Sequence, residues 1–560
     1  MRLSLLLSAA SLALAPAAFA QTAAPTTSGE PVFSADEVRA TITFLADDLL
    51  EGRNAGTRGF DVAARYVATR FGALGLKPGG TDGSWYQQVP FAEYSLDETK
   101  PAYVTVGGKK FLNGAEVLLS ASPRYGSTEQ AVSGNAVFVG YGLDADYAGI
   151  DVTGKIAVTL IGTPKGMTPD QVKAAGGSDR GKNAGKHGAI GVLYLITPDN
   201  LKGTFPWAQA MGYFGRKQTN WLSPAGAPGG EETGIQIGAY VNGAAATALF
   251  EGAPMSAAQV YAAVDQPGAI KSFALKPKVT TARTSKVRNF SSPNVIGLLP
   301  GSDPTLAAEY VVLSAHLDHE GVDPKLTGDQ IYNGAMDNAA GVATMIEAAR
   351  AFKQSGKAPK RSILFVALTA EEDGLLGSDY LARYPVTGTG KVVADVNLDM
   401  PILLYDFQDV VAFGAEHSTL GPIVEAAGAK MGVTLSPDPM PQEQLFVRSD
   451  HYSFVKQGVP SVFLVTGFKN GGEKIFKDFL ATNYHKVSDQ VTLPFDWAAG
   501  AKFARMNYLI AREIADAKEA PLWYEGNTYG DRYAKDAPKA KRPATGIGAP
   551  TPPAPAPAAK

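Results

Sequence analysis

The chain has 560 residues, with 51 basic and 54 acidic side chains and no cysteine. That near-neutral balance removes the electrostatic case for nucleic acid or an anionic membrane as partner. The missing cysteine excludes disulfides, thiol nucleophiles and thiolate metal sites, so a chain this long must be held by its own apolar core.

Residues 1–20, MRLSLLLSAASLALAPAAFA, carry one arginine, an apolar stretch and Ala18-Phe19-Ala20. This is the pattern of a secretory signal peptide cleaved near Ala20. The apolar stretch is too short for a hydrocarbon layer of ~30 Å and contains Pro16, which argues against an anchor. No cysteine follows it, so a lipoprotein is excluded. No later apolar run is long and free of charge, so the expectation is an exported protein, periplasmic or secreted, with no membrane span.

A linker over 21–33 precedes a first helix. Ser34 with Glu37 predicts a capping box, and Val38, Ile42 and Leu45 then fall on one face. A second helix is expected from about Gly59 to Gly75, with Val62, Tyr66, Val67, Phe71 and Leu74 inward and Pro78 beyond its end. From about 95 to 280 the texture changes to short β-rich runs between glycines, AVFVGYG and KIAVTLIG among them, and one helical segment, GKNAGKHGAIG. This stretch reads as a separate α+β module. From 281 to 516 apolar runs rich in β-branched residues (VIGLLPG, YVVLSAHLDH, SILFVALTAEE, VADVNLDM) alternate with helical segments such as GVATMIEAARAFK. That alternation predicts an α/β domain with a mostly parallel, mixed sheet covered by helices on both faces. The first two helices, within 34–94, are expected on the same sheet, which makes 95–280 an insertion in one discontinuous domain. Residues 517–560 form a C-terminal extension that ends in a Pro/Ala-rich tail from Asp536, expected to be disordered.

Ligands in open α/β sheets bind beyond the carboxyl ends of the strands. The polar residues there are His316, Asp318, Asp337, Glu371, Glu372 and Asp399, and far downstream TNYHKVSDQ adds His485. Zinc takes imidazole and carboxylate ligands. Two zinc ions bridged by one carboxylate, ~3.5–4 Å apart, can hold one water between them. The inventory fits: His316 and Asp399 for one metal, Glu372 and His485 for the other, Asp337 as the bridge. Adjacent side chains at a strand end diverge, so Glu372 can face a metal while Glu371 serves as general base on the water. Asp318, two residues from His316, is expected to accept the other ring N–H of that histidine. Cobalt or manganese could substitute for the two Zn2+ in such a donor set.

In this order HLD (316–318), Asp337-Asn338, Glu371-Glu372, NLD (397–399) and the late His485 resemble the co-catalytic di-zinc exopeptidase family. That family includes secreted leucyl-type aminopeptidases, glutamate carboxypeptidase and, more distantly, glutaminyl cyclases. RSDHYSF at 448–454, followed by GVPSVFL, resembles it too, and the likeness covers about 34–90 and 285–515. The middle module resembles a protease-associated domain through VGYGLDADYAGIDVTGKIAVTLIG and KNAGKHGAIGVLYL. The resemblance implies the roles already given to His316, Asp337, Glu371, Glu372, Asp399 and His485, and peptide substrates. Asn338 departs from it, since relatives often carry a second acid there. A carboxylate-rich centre suits a cationic free N-terminus and so favours an aminopeptidase. Carboxypeptidase or dipeptidase action, and a non-catalytic receptor-like binding protein on the same scaffold, are the alternatives. No G-x-S-x-G elbow and no H-E-x-x-H occur, which argues against a serine hydrolase and a thermolysin-type site.

Overall fold

The computed structural model describes residues 30–548 except 168–170, 173–174, 178 and 231–232. The expected signal peptide over 1–20 lies outside the described residues. Helix α1 (Ala35–Leu45) starts at Ser34, whose hydroxyl accepts the Glu37 N–H. The capping box is only half formed: the Glu37 carboxylate pairs with Arg70, and the Ser34 N–H turns to Glu347. Helix α2 (Arg58–Ala73) buries Phe60, Ala63, Ala64, Val67 and Phe71. Val62, expected inward, is 40% exposed, because the buried stripe runs through Phe60 and Ala64 instead.

The main sheet uses β1 (Tyr86–Leu96), β2 (Phe273–Leu299), β3 (Glu309–His316), β4 (Ser362–Leu368), β5 (Lys391–Leu398), β6 (Asp409–Phe413), β7 (Thr434–Ser436) and β8 (Ser461–Thr466). Its order is β1-β2-β4-β3-β5-β8-β6-β7. The middle four strands, β4-β3-β5-β8, are all parallel, and antiparallel neighbours flank them. Every residue of β4 is buried, which accounts for a continuous apolar run rather than an alternating one. On one face pack α1, α2, α3 (Ala340–Gln354) and α4 (Trp497–Asp516), with Phe71, Met345, Phe352, Phe365, Phe503 and Ile510 in the shared core. On the other face Leu381 and Phe454 cover Ile296, Val312, Leu364 and Val366. The sheet is therefore mixed, parallel at its centre and covered on both sides.

A second sheet has its own core, with Val104, Phe138, Val158, Leu193, Val241 and Phe250. The 27-residue strand β2 belongs to both sheets. Its first part, Phe273–Thr284, lies along strand Glu129–Phe138, and from Ser285 onward it pairs with β1 and then β4. The strand Gln218–Trp221 returns from the second sheet to pair with β1, and Trp221 donates to Asp379 at 3.0 Å. The C-terminal extension differs from expectation as far as Gly548. Trp523 is buried and donates to the Gly458 carbonyl, and the Ala540 N–H bonds the Trp523 carbonyl. Aromatic anchors at Trp523 and Tyr524 hold this segment down despite its prolines. Residues 549–560 of the expected tail lie outside the described residues.

Candidate metal centre

The parallel strands β3, β4 and β5 point their carboxyl ends at one spot. His316 closes β3, Asp399 follows β5 directly, and Glu371 and Glu372 lie just past β4. Asp337 comes from the loop before α3, and His485 from the loop after helix Gly472–Thr482. His316 Nε2 is 3.1 Å from Asp337 Oδ1 and 3.1 Å from Asp399 Oδ1. His485 Nε2 is 3.3 Å from Asp337 Oδ2 and 3.2 Å from Glu372 Oε2. Asp337 thus offers one oxygen to each of two half-sites, and each half-site has one imidazole and one further carboxylate.

This donor set fits two divalent cations on its own chemistry. His316 Nδ1 faces the Asp318 carbonyl at 3.2 Å, an acceptor only, so that nitrogen carries a proton. Nε2 is left facing two carboxylate oxygens at equal distance, and one proton serves only one of them. A cation among the three serves all. Without one, protons stand in: burial lowers the His316 pKa, but Asp399 and Glu371 outweigh it and hold the ring protonated well above its usual range. His485 is likewise pushed up to about 10, hydrogen bonds to Asp337 and Glu372 overcoming burial. Metal binding displaces such protons.

The paired glutamates do not sit on the strand end itself. Strand β4 stops at Leu368, and Ala370, at φ 53°, turns the chain so that the next two residues form a bend. The Asp318 carboxylate accepts both of their N–H groups, Glu371 at 3.1 Å and Glu372 at 3.2 Å. The expected bond from His316 to the Asp318 carboxylate is corrected accordingly. The two groups are 4.0 Å apart, and the carboxylate is committed to the glutamate turn. Glu372 reaches the metal centre, whereas Glu371 lines the adjoining cavity. Burial, with the charges of Glu372, Asp399 and Asp450 added, raises the Glu371 pKa well above the carboxylate range, against the pull of His316. Asp318→Ala strips both turn N–H groups of their acceptor. It is expected to weaken divalent-cation binding by ~10–100-fold, measured by titration calorimetry on the cation-free protein.

Of the supporting residues His319, close after HLD, is singled out by the sequence as a supporting group; Glu320, Asp489 and Arg53 are not. His319, fully buried, holds Glu372 Oε1 at 2.7 Å from its Nδ1. Glu320 lies 3.4 Å from His485 Nδ1. Asp489 accepts the N–H groups of Met336 and Asp337, each at 2.9 Å, and so fixes the bridging loop. Arg53, 1% exposed, donates to the carbonyls of Leu317, Asn333 and Gly334 and ties the two ligand loops together from beneath. In RSDHYSF the residue that touches the centre is Ser449, which donates to Asp399 Oδ2 at 2.6 Å. Asp450 and His451 are buried beside it, and burial lowers the His451 pKa to about 3. Asn338 explains its own departure from the family pattern. Its amide donates to the Leu398 carbonyl at 2.9 Å while its oxygen accepts the Gly341 N–H, and a carboxylate cannot donate. At Gly341 a Cβ would stand 2.2 Å from Asn338 Oδ1 and 2.3 Å from the Leu398 carbonyl, so only glycine fits.

A cavity of about 330 Å³ opens on the centre. His316, Asp337, Glu371, Asp399 and His485 form one end of it. Phe413, Phe463, Val465, Phe476 and Leu480 line the apolar remainder, and Glu443 and Arg448 also border it.

Residues 294–511 match peptidase family M28, and this segment contains all the proposed ligands together with Glu371. A probable leucine aminopeptidase 2 of Aspergillus oryzae is 28% identical over 233 residues, 37% of this chain and 42% of that protein. A probable zinc metalloprotease of Pyrenophora teres f. teres is 38% identical over 108 residues, 19% of this chain and 22% of that protein. The matched stretches span less than half the length of these curated relatives. Among solved structures, an aminopeptidase from Aneurinibacillus sp. strain AM-1 has a TM-score of 0.47 at 21% identity, covering 87% of this chain and 95% of that one.

Proposed function

We propose that this chain, whose residues 294–511 match peptidase family M28, is an exported zinc-dependent aminopeptidase that hydrolyses the first peptide bond of substrates with a free N-terminus. The observation that carries the reading is the divided Asp337 carboxylate, one oxygen to each imidazole, beside a cavity into which a separate carboxyl group, Glu371, is presented. In this reading His316, Asp337 and Asp399 hold one zinc, and Asp337, Glu372 and His485 the other, with His319 bracing Glu372. When bound, such ions lower the pKa of water towards ~7 and polarise a carbonyl.

The rest is the work of side chains. Glu371 takes a proton from the attacking water and delivers it to the departing amine, as a carboxylate presented to the cavity beside the ligands can. Asp318 holds Glu371 and Glu372 in register through their backbones. The apolar cavity wall receives the side chain of the first residue and excludes water. The discontinuous domain (34–94 and 281–516), with the second sheet as an inserted protease-associated domain, belongs to the same reading. So does export through residues 1–20. Among the described residues no helix is long and apolar enough to cross a membrane. A receptor-like role is disfavoured because no donor of the two half-sites is missing.

The test is a panel of peptides with free and acetylated N-termini, assayed with and without a chelator. Free peptides are expected to be cut, acetylated ones at least ~100-fold more slowly, and chelator to abolish both. Equal rates on the two sets would discard the aminopeptidase reading and point to the carboxypeptidase alternative.

A further inference from the structure

Arg448 borders the same cavity as Glu371 and the metal ligands, yet nothing in the proposed chemistry uses it. It follows the turn Leu445–Val447 and immediately precedes Ser449, the residue bonded to Asp399. Its backbone is therefore fixed one residue from the metal centre, and its N–H donates to the Leu445 carbonyl. The guanidinium itself is loosely held. Its ionic partner is Glu443, 3.9 Å away, and the two side chains are 55% and 51% exposed. A pair this long and this wet contributes little and exchanges readily for a better anion. Apart from Arg448, the charged groups on the cavity wall are the acids Asp337, Glu371, Asp399 and Glu443 and the two histidines of the candidate metal centre, His316 and His485, so Arg448 is the one guanidinium or ammonium there among the described residues. Arginine on such a wall presents a planar fork matched to a carboxylate.

We propose that Arg448 is a specificity-determining residue that binds a carboxylate of the substrate and displaces Glu443 from its guanidinium. This rests on the peptidase reading and narrows its substrates to those that bring a carboxylate close to the cut bond. Two sources have that chemistry: the C-terminal carboxylate of a di- or tripeptide, and the side chain of an acidic first residue. A dipeptide places its terminal carboxylate one residue beyond the scissile carbonyl, ~3.5 Å further along an extended chain. Either group then lies in a cavity whose far end holds the metals.

The test compares wild type, Arg448→Gln and Arg448→Lys on two substrate pairs, Leu-Leu against Leu-Leu-amide and Glu-p-nitroanilide against Leu-p-nitroanilide. The readout is the ratio of kcat/KM within each pair, with zinc content measured alongside. Arg448→Gln is expected to lower one ratio by about 10–100-fold through KM, because a charged hydrogen bond is lost. Arg448→Lys should recover part of it. A fall in the first ratio assigns the C-terminal carboxylate, and a fall in the second assigns the acidic side chain. Both ratios unchanged in Arg448→Gln would overturn the proposal. Cleavage of Leu-Leu-amide by wild type keeps that result separate from a failure of the peptidase reading, since a wild-type protein that cuts none of the four substrates overturns both.

Discussion

Glu371→Gln is expected to lower kcat by ~10²–10⁴-fold while both zinc ions stay bound. The substitution keeps the shape and removes the ability to take and return a proton. Glu371 stands within 4.8 Å of His316 and Glu372 but forms no ion pair with a histidine among the described residues, whereas Glu372 lies 2.7 Å from His319 and 3.2 Å from His485. The backbone N–H that anchors residue 371 to Asp318 is untouched by a side-chain change. Zinc content by elemental analysis should therefore match wild type, and KM should move less than kcat. If the variant instead loses metal, the roles of the two glutamates have been interchanged. Glu372→Gln is the control, expected to lose metal from the His485 half-site.

Asp337→Asn should have the larger effect on metal. Each Asp337 oxygen faces a different imidazole, so one residue serves both half-sites. An amide offers one oxygen and one NH2, and the NH2 cannot ligate a cation. Zinc content is expected to fall from two ions per chain to one or none, and hydrolysis by more than ~10³-fold, because both half-sites are opened at once. The loss should also appear in stability. A cation that binds only the folded chain stabilises it by about 2.7 kcal/mol at a hundredfold excess over its Kd. The rise in melting temperature on adding zinc to wild type should shrink or vanish in Asp337→Asn. An undiminished rise would mean that the cations bind elsewhere.

Much of this centre was legible because a parallel sheet collects its polar residues at one edge. The apolar runs ending in His316, Glu371 and Asp399 announced three strand ends, and three parallel strands bring those ends together. What the sequence hid were contacts set by the paths of loops. Asp318 reads as a partner of its neighbour His316, but its carboxylate is used 53 residues away, on the backbone of Glu371. Arg53 sits in a stretch with no periodic signal, and its carbonyl partners carry no side-chain signature at all. His319, close after HLD, reads as a supporting group, but its target, Glu372, is not legible. The histidine lies past the end of β3, where the alternation of faces no longer predicts direction. The helices failed in smaller ways. Ser34 caps α1 as its spacing predicts, but Glu37 finds a charged partner in Arg70 on the adjacent helix, and that attraction outcompetes the local box. The Pro/Ala composition after Asp536 masked two anchoring aromatics upstream, Trp523 and Tyr524, which bring the following residues down onto the protein.

The long strand shared by the two sheets also tells an engineer where to cut. Leu96 and Ser285 stand directly opposite each other in the β1–β2 register. A short reverse turn spliced between those two positions would close a β-hairpin and leave the remaining pairs of that ladder in place. Excision at the composition boundary, near 280, would instead leave an overhang of residues whose hydrogen-bonding partners, such as Val132 opposite Thr281, had been removed with the module. The seam is therefore marked by paired backbone and not by the change in residue texture, and the cut also takes away the strand Gln218–Trp221, so β1 loses its outer neighbour and Asp379 the Trp221 donor.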